Sequence, residues 1–105
     1  MLIEGDEVVV IKDETFNTIR IYGYGVIEEI IHEDYEILYI VKLDENYGGY
    51  VIETDSVVST SDWVDYVNER EATVIRVPYE AWVMVRNNLS NKFTRKITRQ
   101  GGKSY

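Results

Sequence analysis

The chain has no cysteine, one histidine (His32), one proline (Pro78) and no acidic residue after Glu80. Without cysteine there are no disulfides, no thiolate catalysis and no sulfur-built zinc site. A lone histidine cannot supply a two-histidine metal centre, and the clustered loop acids of a calcium site, in the pattern D-x-D-x-D-G, are missing. No metal or other cofactor is therefore expected. No apolar run approaches the ~18 residues of a membrane span. The opening MLIEGDEVVV carries acids where a signal peptide would carry positive charge. These features predict a soluble, cytoplasmic protein that avoids membranes.

The charge that is present is divided. Residues 1–85 hold all nineteen acids against Lys12, Arg20, Lys42, Arg70 and Arg76, a net of −14, while the last twenty residues carry +6. Such asymmetry bears on partners and solubility rather than on fold. Hydrophobic content of 45% with 29% charge lies in the globular range. At 105 residues the chain is expected to form one domain around a single core.

Strand patterns fill the first sixty residues. Glu7 to Lys12 is β-branched and follows the turn signal Gly5-Asp6. A run from Arg20 to Ile31 is interrupted by Gly23 and Gly25, where a bulge or bend is expected. Tyr35 to Leu43 alternates, with Ile37, Tyr39, Val41 and Leu43 on one face and Leu38, Ile40 and Lys42 on the other. Gly49 to Val58 reads as a fourth strand and Thr73 to Val77 as a fifth. Ser61 with Asp62 and Asp65 marks a helix start, predicting a helix to about Glu71 with Trp63, Tyr66, Val67 and Arg70 along one side. Trp63 is expected to cap an open end of a barrel. Pro78, followed by Trp82, Val85 and Leu89 at spacings of three and four, predicts a second helix packed on the sheet.

Taken in succession, IEGDEVVVI, GYGVIEEI, YEILYIVKL and GYVIETDSVV resemble the SH3-like barrels of bacterial and phage proteins, including KOW- and Tudor-like modules. The resemblance covers residues 3 to 60 or 77. It implies a mainly β fold with added α: a small antiparallel barrel of about five strands, with short helices after the fourth strand and near the C-terminus. The expected organisation is a barrel over 1–77 including the helix at 61–71, a helix over 78–90, and a basic tail over 91–105 with a flexible end at Gly101-Gly102. It also implies a binding module with its ligand groove in the loops after the first and second strands. The ALYDY segment and paired tryptophans of proline-binding SH3 domains are missing, as is the basic strand surface of ribosomal KOW modules, so neither ligand is carried over.

Nine tyrosines are the main compositional excess. Tyr22, Tyr24, Tyr47 and Tyr50 are expected to converge if the second and fourth strands bring their ends together, forming an aromatic site for cations or protein surfaces. The competing reading is half-buried strand tyrosines. Gly23-Tyr24-Gly25 lacks the third glycine and the following helix of a dinucleotide fingerprint. Glu28 and Glu29, adjacent on a strand, should diverge rather than form an acid/base pair, and His32 reads as a surface loop residue. No serine or threonine sits in a triad or nucleophile elbow.

The leading expectation is a non-enzymatic interaction module whose acidic barrel binds a basic protein surface through Tyr22, Tyr24, Tyr47, Tyr50, Glu28 and Glu29; a phage-type inhibitor acting by charge mimicry is one version. A second reading is a nucleic-acid accessory protein contacting phosphates and bases through Lys92, Phe93, Arg95, Lys96 and Arg99, although the −14 body opposes a polyanion within a Debye length. A small nucleotide-binding protein or enzyme is a third, and self-association stays open.

Overall fold

The computed structural model describes residues 1–80, which form six strands and one α-helix. The strands are β1 (Glu7–Thr15), β2 (Thr18–His32), β3 (Ile37–Leu43), β4 (Val51–Thr54), β5 (Val57–Ser59) and β6 (Thr73–Arg76). Helix α1 (Thr60–Arg70) lies between β5 and β6, and a 3-10 turn at Glu45–Tyr47 links β3 to β4. The fold is mainly β, with all six strands in one sheet of order β4-β3-β2-β1-β5 and β6 paired to β2.

β1 and β2 run further than the sequence suggests and meet at a two-residue turn, Phe16-Asn17, closed by the Thr15–Thr18 pair. Asn17 takes the left-handed conformation there (φ 63°), which a short polar side chain tolerates. The sequence reading missed this turn because Phe-Asn is a weaker signal than Asn-Gly. The expected bulge near Gly23 is present: the register shifts between Val10 and Ile11, leaving Tyr22 as the extra residue of β2. A second shift leaves Glu28 unpaired opposite β3. The expected divergence of Glu28 and Glu29 assumed strict alternation; the bulge interrupts it, and both carboxylates are exposed.

Two further expectations are corrected. The run Gly49 to Val58 is two strands, because Asp55-Ser56 turns the chain, with the Ser56 amide donating to Thr54 Oγ1 at 3.0 Å. β4 then pairs with β3 and β5 with β1. The strand from Thr73 does not extend the antiparallel order: α1 carries the chain back, and β6 lies parallel to Thr18–Ile21 of β2. α1 links β6 to β5 rather than to β2, so the parallel pair joins strands that are distant in the chain.

Five strands side by side would hold β4 and β5 about 19 Å apart at 4.8 Å per step. Two linking residues span at most about 11 Å. The sheet must therefore curl strongly, although no ladder joins β4 to β5 among the described residues.

Curling places apolar residues on both faces of β1. Val8 and Val10 pack with Ile27, Val41, Leu43, Ile52 and Tyr79 inside the curl. Val9 and Ile11 pack with Ile19, Ile21 and Trp63 on the reverse face, beneath α1. The expected single core is thus two clusters divided by one strand, each full burial of a Val, Ile or Leu contributing roughly 1.5–3 kcal/mol. Trp63 does not cap an end of the curl; alternation along β1 turns Val9 and Ile11 away from the inner cluster, and Trp63 covers them. β5 leads directly into α1, so the N-cap is Ser59, whose hydroxyl accepts from the Ser61 amide at 3.1 Å, rather than Ser61.

Tyr66 stacks on Trp63 (5.9 Å between centroids) and carries Arg70 over its ring at 3.5 Å. The Tyr66 hydroxyl also donates to Glu14. This ladder ties the exposed side of α1 to the β1–β2 hairpin. Pro78, Tyr79 and Glu80 are not helical; the rest of the helix expected to Leu89 and the whole basic tail lie outside the described residues. Among the described residues no helix is long and apolar enough to cross a membrane.

Candidate functional site: a tyrosine belt beside two carboxylates

The gap on one edge of β2, between the end of β6 and the end of β3, organises the site. On that edge the Val77 amide donates to Ile21 O and the Asp44 amide to Tyr24 O, at 2.8 and 2.9 Å. Two chain segments therefore leave the sheet on either side of Gly23. Tyr47, on the 3-10 turn, lies against Gly23 so closely that a Cβ there would fall 2.3 Å from its ring. Gly23 also has φ 145°, which disfavours a side chain independently. The sequence signal was the glycine, and its reason is a seat for Tyr47.

The four expected tyrosines come near one another but do not form one open cage. Tyr24 and Tyr47 make a tilted pair with centroids 5.6 Å apart. Tyr22 and Tyr50 are joined instead through Tyr79, which lies 4.9 Å edge-on from Tyr22 and 5.3 Å from Tyr50. Tyr79 is buried and belongs to the inner cluster, so the Tyr22–Tyr50 half is largely packing. Burial, with the nearby Asp13 charge second, raises the Tyr22 phenol above its ordinary pKa. Sequence reading missed Tyr79 because it assigned the residue to a helix.

The Tyr24–Tyr47 half is different. Both rings line a cavity of about 320 Å³ with Glu7 and Asp44, closed by Gly25, Asn46 and Thr60. Glu7 enters at the start of β1, opposite Val26 of β2, and Asp44 follows β3. Arg76 lays its guanidinium 4.8 Å over the Tyr47 ring and makes a long 3.4 Å contact to Asn46 O. An aromatic face and carboxylates together favour cations through ring quadrupole and Coulomb attraction. Nothing in the sequence alone joined Glu7 or Asp44 to the tyrosines.

Glu28 and Glu29 lie four and five residues along β2 from Tyr24, roughly 13 and 17 Å at 3.3 Å per residue, and stand apart from the rings. His32 ends β2 rather than lying in a loop. The loops after β1 and β2, where the resemblance puts a ligand groove, lie at opposite ends of a strand fifteen residues long, so they do not share a groove. Lys92, Phe93, Arg95, Lys96 and Arg99 are outside the described residues.

The acidic surface has few cations to offset it. Arg20 forms two hydrogen bonds to Asp13 at 2.7 and 2.6 Å, and Lys12 approaches the same carboxylate at 3.7 Å. Arg20 foremost, with Lys12 assisting, holds Asp13 below the usual carboxylate range. Arg70 lies 3.5 Å from Glu14, and Lys42 bonds Gly49 O at 2.7 Å with Glu45 at 3.8 Å.

No family model matches the chain, and no curated protein or solved structure is found to be similar to it.

Proposed function

We propose that this chain is a non-enzymatic interaction module of SH3-like barrel architecture that binds a basic surface of a partner protein, the Tyr24–Tyr47 cavity receiving a lysine or arginine side chain. The barrel reading draws support from the curl that the two-residue link between β4 and β5 imposes. The binding reading rests on one observation: two aromatic faces and two carboxylates, Glu7 and Asp44, share a side-chain-sized cavity. Arg76 already sets a guanidinium on one of those rings.

Calorimetric titration with a hexa-arginine peptide tests it. The double variant Glu7→Gln/Asp44→Asn should bind roughly three- to tenfold more weakly, the effect of two partly exposed ion pairs at about 0.3–0.7 kcal/mol each. The control Asp65→Asn/Glu69→Gln removes the same charge from α1 and should change affinity much less. Equal losses in both variants would reduce the interaction to bulk charge and sink the site.

A further inference from the structure

A second cavity lies at the far end of the β2–β3 hairpin. It encloses about 700 Å³ and is lined mainly by apolar side chains, Leu2 and Ile3 on one wall and Ile30, Ile37 and Tyr39 on the other, with Glu4 at its edge. The hairpin wall is set by register, since Ile30 pairs with Tyr39 and His32 with Ile37. The other wall is held by a tight turn. Gly5 N donates to Ile27 O at 2.8 Å, Ile3 N to the Asp6 carboxylate at 2.9 Å, and Asp6 N to Ile3 O at 3.1 Å. Ile3 and Ile37 remain 59% and 42% exposed. A fixed apolar cleft with its large side chains still facing water calls for an occupant.

Its surroundings specify the occupant's chemistry. His32 is shared with an adjoining cavity whose lining includes Asp34 and Glu36, so carboxylates flank the apolar cleft at both Glu4 and the hairpin turn. A fitting segment has apolar side chains for the floor and cations for the rim. The chain contains one: in NKFTRKITR, Phe93 and Ile97 are set among Lys92, Arg95, Lys96 and Arg99, with no acid. Its origin is close by. Tyr79 packs in the inner cluster, against which Leu2, Ile30 and Tyr39 of the cleft walls also pack. Twelve residues lie between Glu80 and Phe93, so thirteen Cα-to-Cα steps connect them. These steps span up to about 43 Å when extended.

We infer that the basic segment 91–99 docks in this cleft of its own chain, with Phe93 and Ile97 against Ile3, Ile30 and Ile37 and its cations toward Glu4, Asp34 and Glu36. The inference does not depend on the partner reading, which uses a different cavity. Docking would shield the apolar walls and neutralise part of the acidic surface. It would also withhold the tail from nucleic acid.

Because the chain has no cysteine, Thr98→Cys in the full-length protein gives a single spin-label site. In ¹⁵N spectra, amides of Leu2, Ile3, Ile30 and Ile37 should lose intensity severalfold relative to the reduced label. The loss should diminish when Phe93→Ala/Ile97→Ala is added, or when the exposed Ile37 is changed to Ser in a protein that keeps its spectral dispersion. Broadening spread evenly over the molecule would overturn the inference, as would broadening centred on Tyr24, Asp44 and Tyr47. Broadening of a ¹⁵N-labelled, spin-free copy by an equal amount of unlabelled, spin-bearing copy would assign the occupant to a second molecule, and so would also overturn it.

Discussion

Gly23 shows how one residue fixes the candidate site. Its substitution by alanine places a methyl within the Tyr47 ring and forces a left-handed backbone on a residue that resists it, at a cost of roughly 1–3 kcal/mol. Denaturant unfolding of Gly23→Ala should show that loss together with a weakened Tyr24–Tyr47 pair; wild-type stability would mean the ring has room to move. Asp13 carries a linkage of known sign. Its folded pKa is depressed by Arg20, so its stabilising effect is present above the unfolded carboxylate value of about 3.9 and is lost as pH falls through the folded value. Asp13→Asn should therefore be less stable than wild type near neutrality, with the gap closing in acid. A gap independent of pH would contradict the pairing. For Tyr22 the sign reverses: burial raises the phenol, so its contribution is present below about 10 and is lost as pH rises through the folded value. Tyr22→Phe keeps the ring and should resist alkaline unfolding better than wild type, as followed by circular dichroism.

At the scale of elements, α1 is the second face of the fold rather than an ornament at its end. Trp63 is its buried anchor, whereas Val64 one residue on is 65% exposed. Trp63→Ala should cost roughly 3–5 kcal/mol and Val64→Ala close to nothing, in equilibrium unfolding. Similar small losses at both positions would separate α1 from the core. This helix was legible in the sequence to within a residue or two, because capping and aromatic spacing are local properties. The alternation of β3 was legible for the same reason. What was not legible depended on distant partners. Asp55-Ser56 reads as the end of one strand until β1 is seen to take Val57–Ser59 as its neighbour, and β6 looks like the next antiparallel strand until α1 reverses the chain. The candidate site follows the same rule. Tyr24 and Tyr47 were found by composition, but Glu7 joins them only through the pairing of β1 with β2 and Asp44 only where the chain leaves β3, while Tyr79 joins Tyr22 and Tyr50.

Across the whole molecule, the division of charge remains the strongest signal, with the described residues carrying the acidic share. Four of their five basic side chains face a carboxylate, and Arg76 lies on Tyr47. A cationic partner is attracted from a distance but must still be recognised locally. Raising salt from about 50 to about 300 mM shortens the Debye length from roughly 14 to roughly 6 Å and should slow association more than it speeds dissociation. The most direct measurement of local recognition is an amide chemical-shift titration of the full-length protein with hexa-arginine. The largest shifts are expected at Tyr24, Gly25, Asp44, Asn46 and Tyr47, with α1 little changed. Shifts distributed over the exposed acids of β2 and α1, with none concentrated around the Tyr24–Tyr47 cavity, would contradict it.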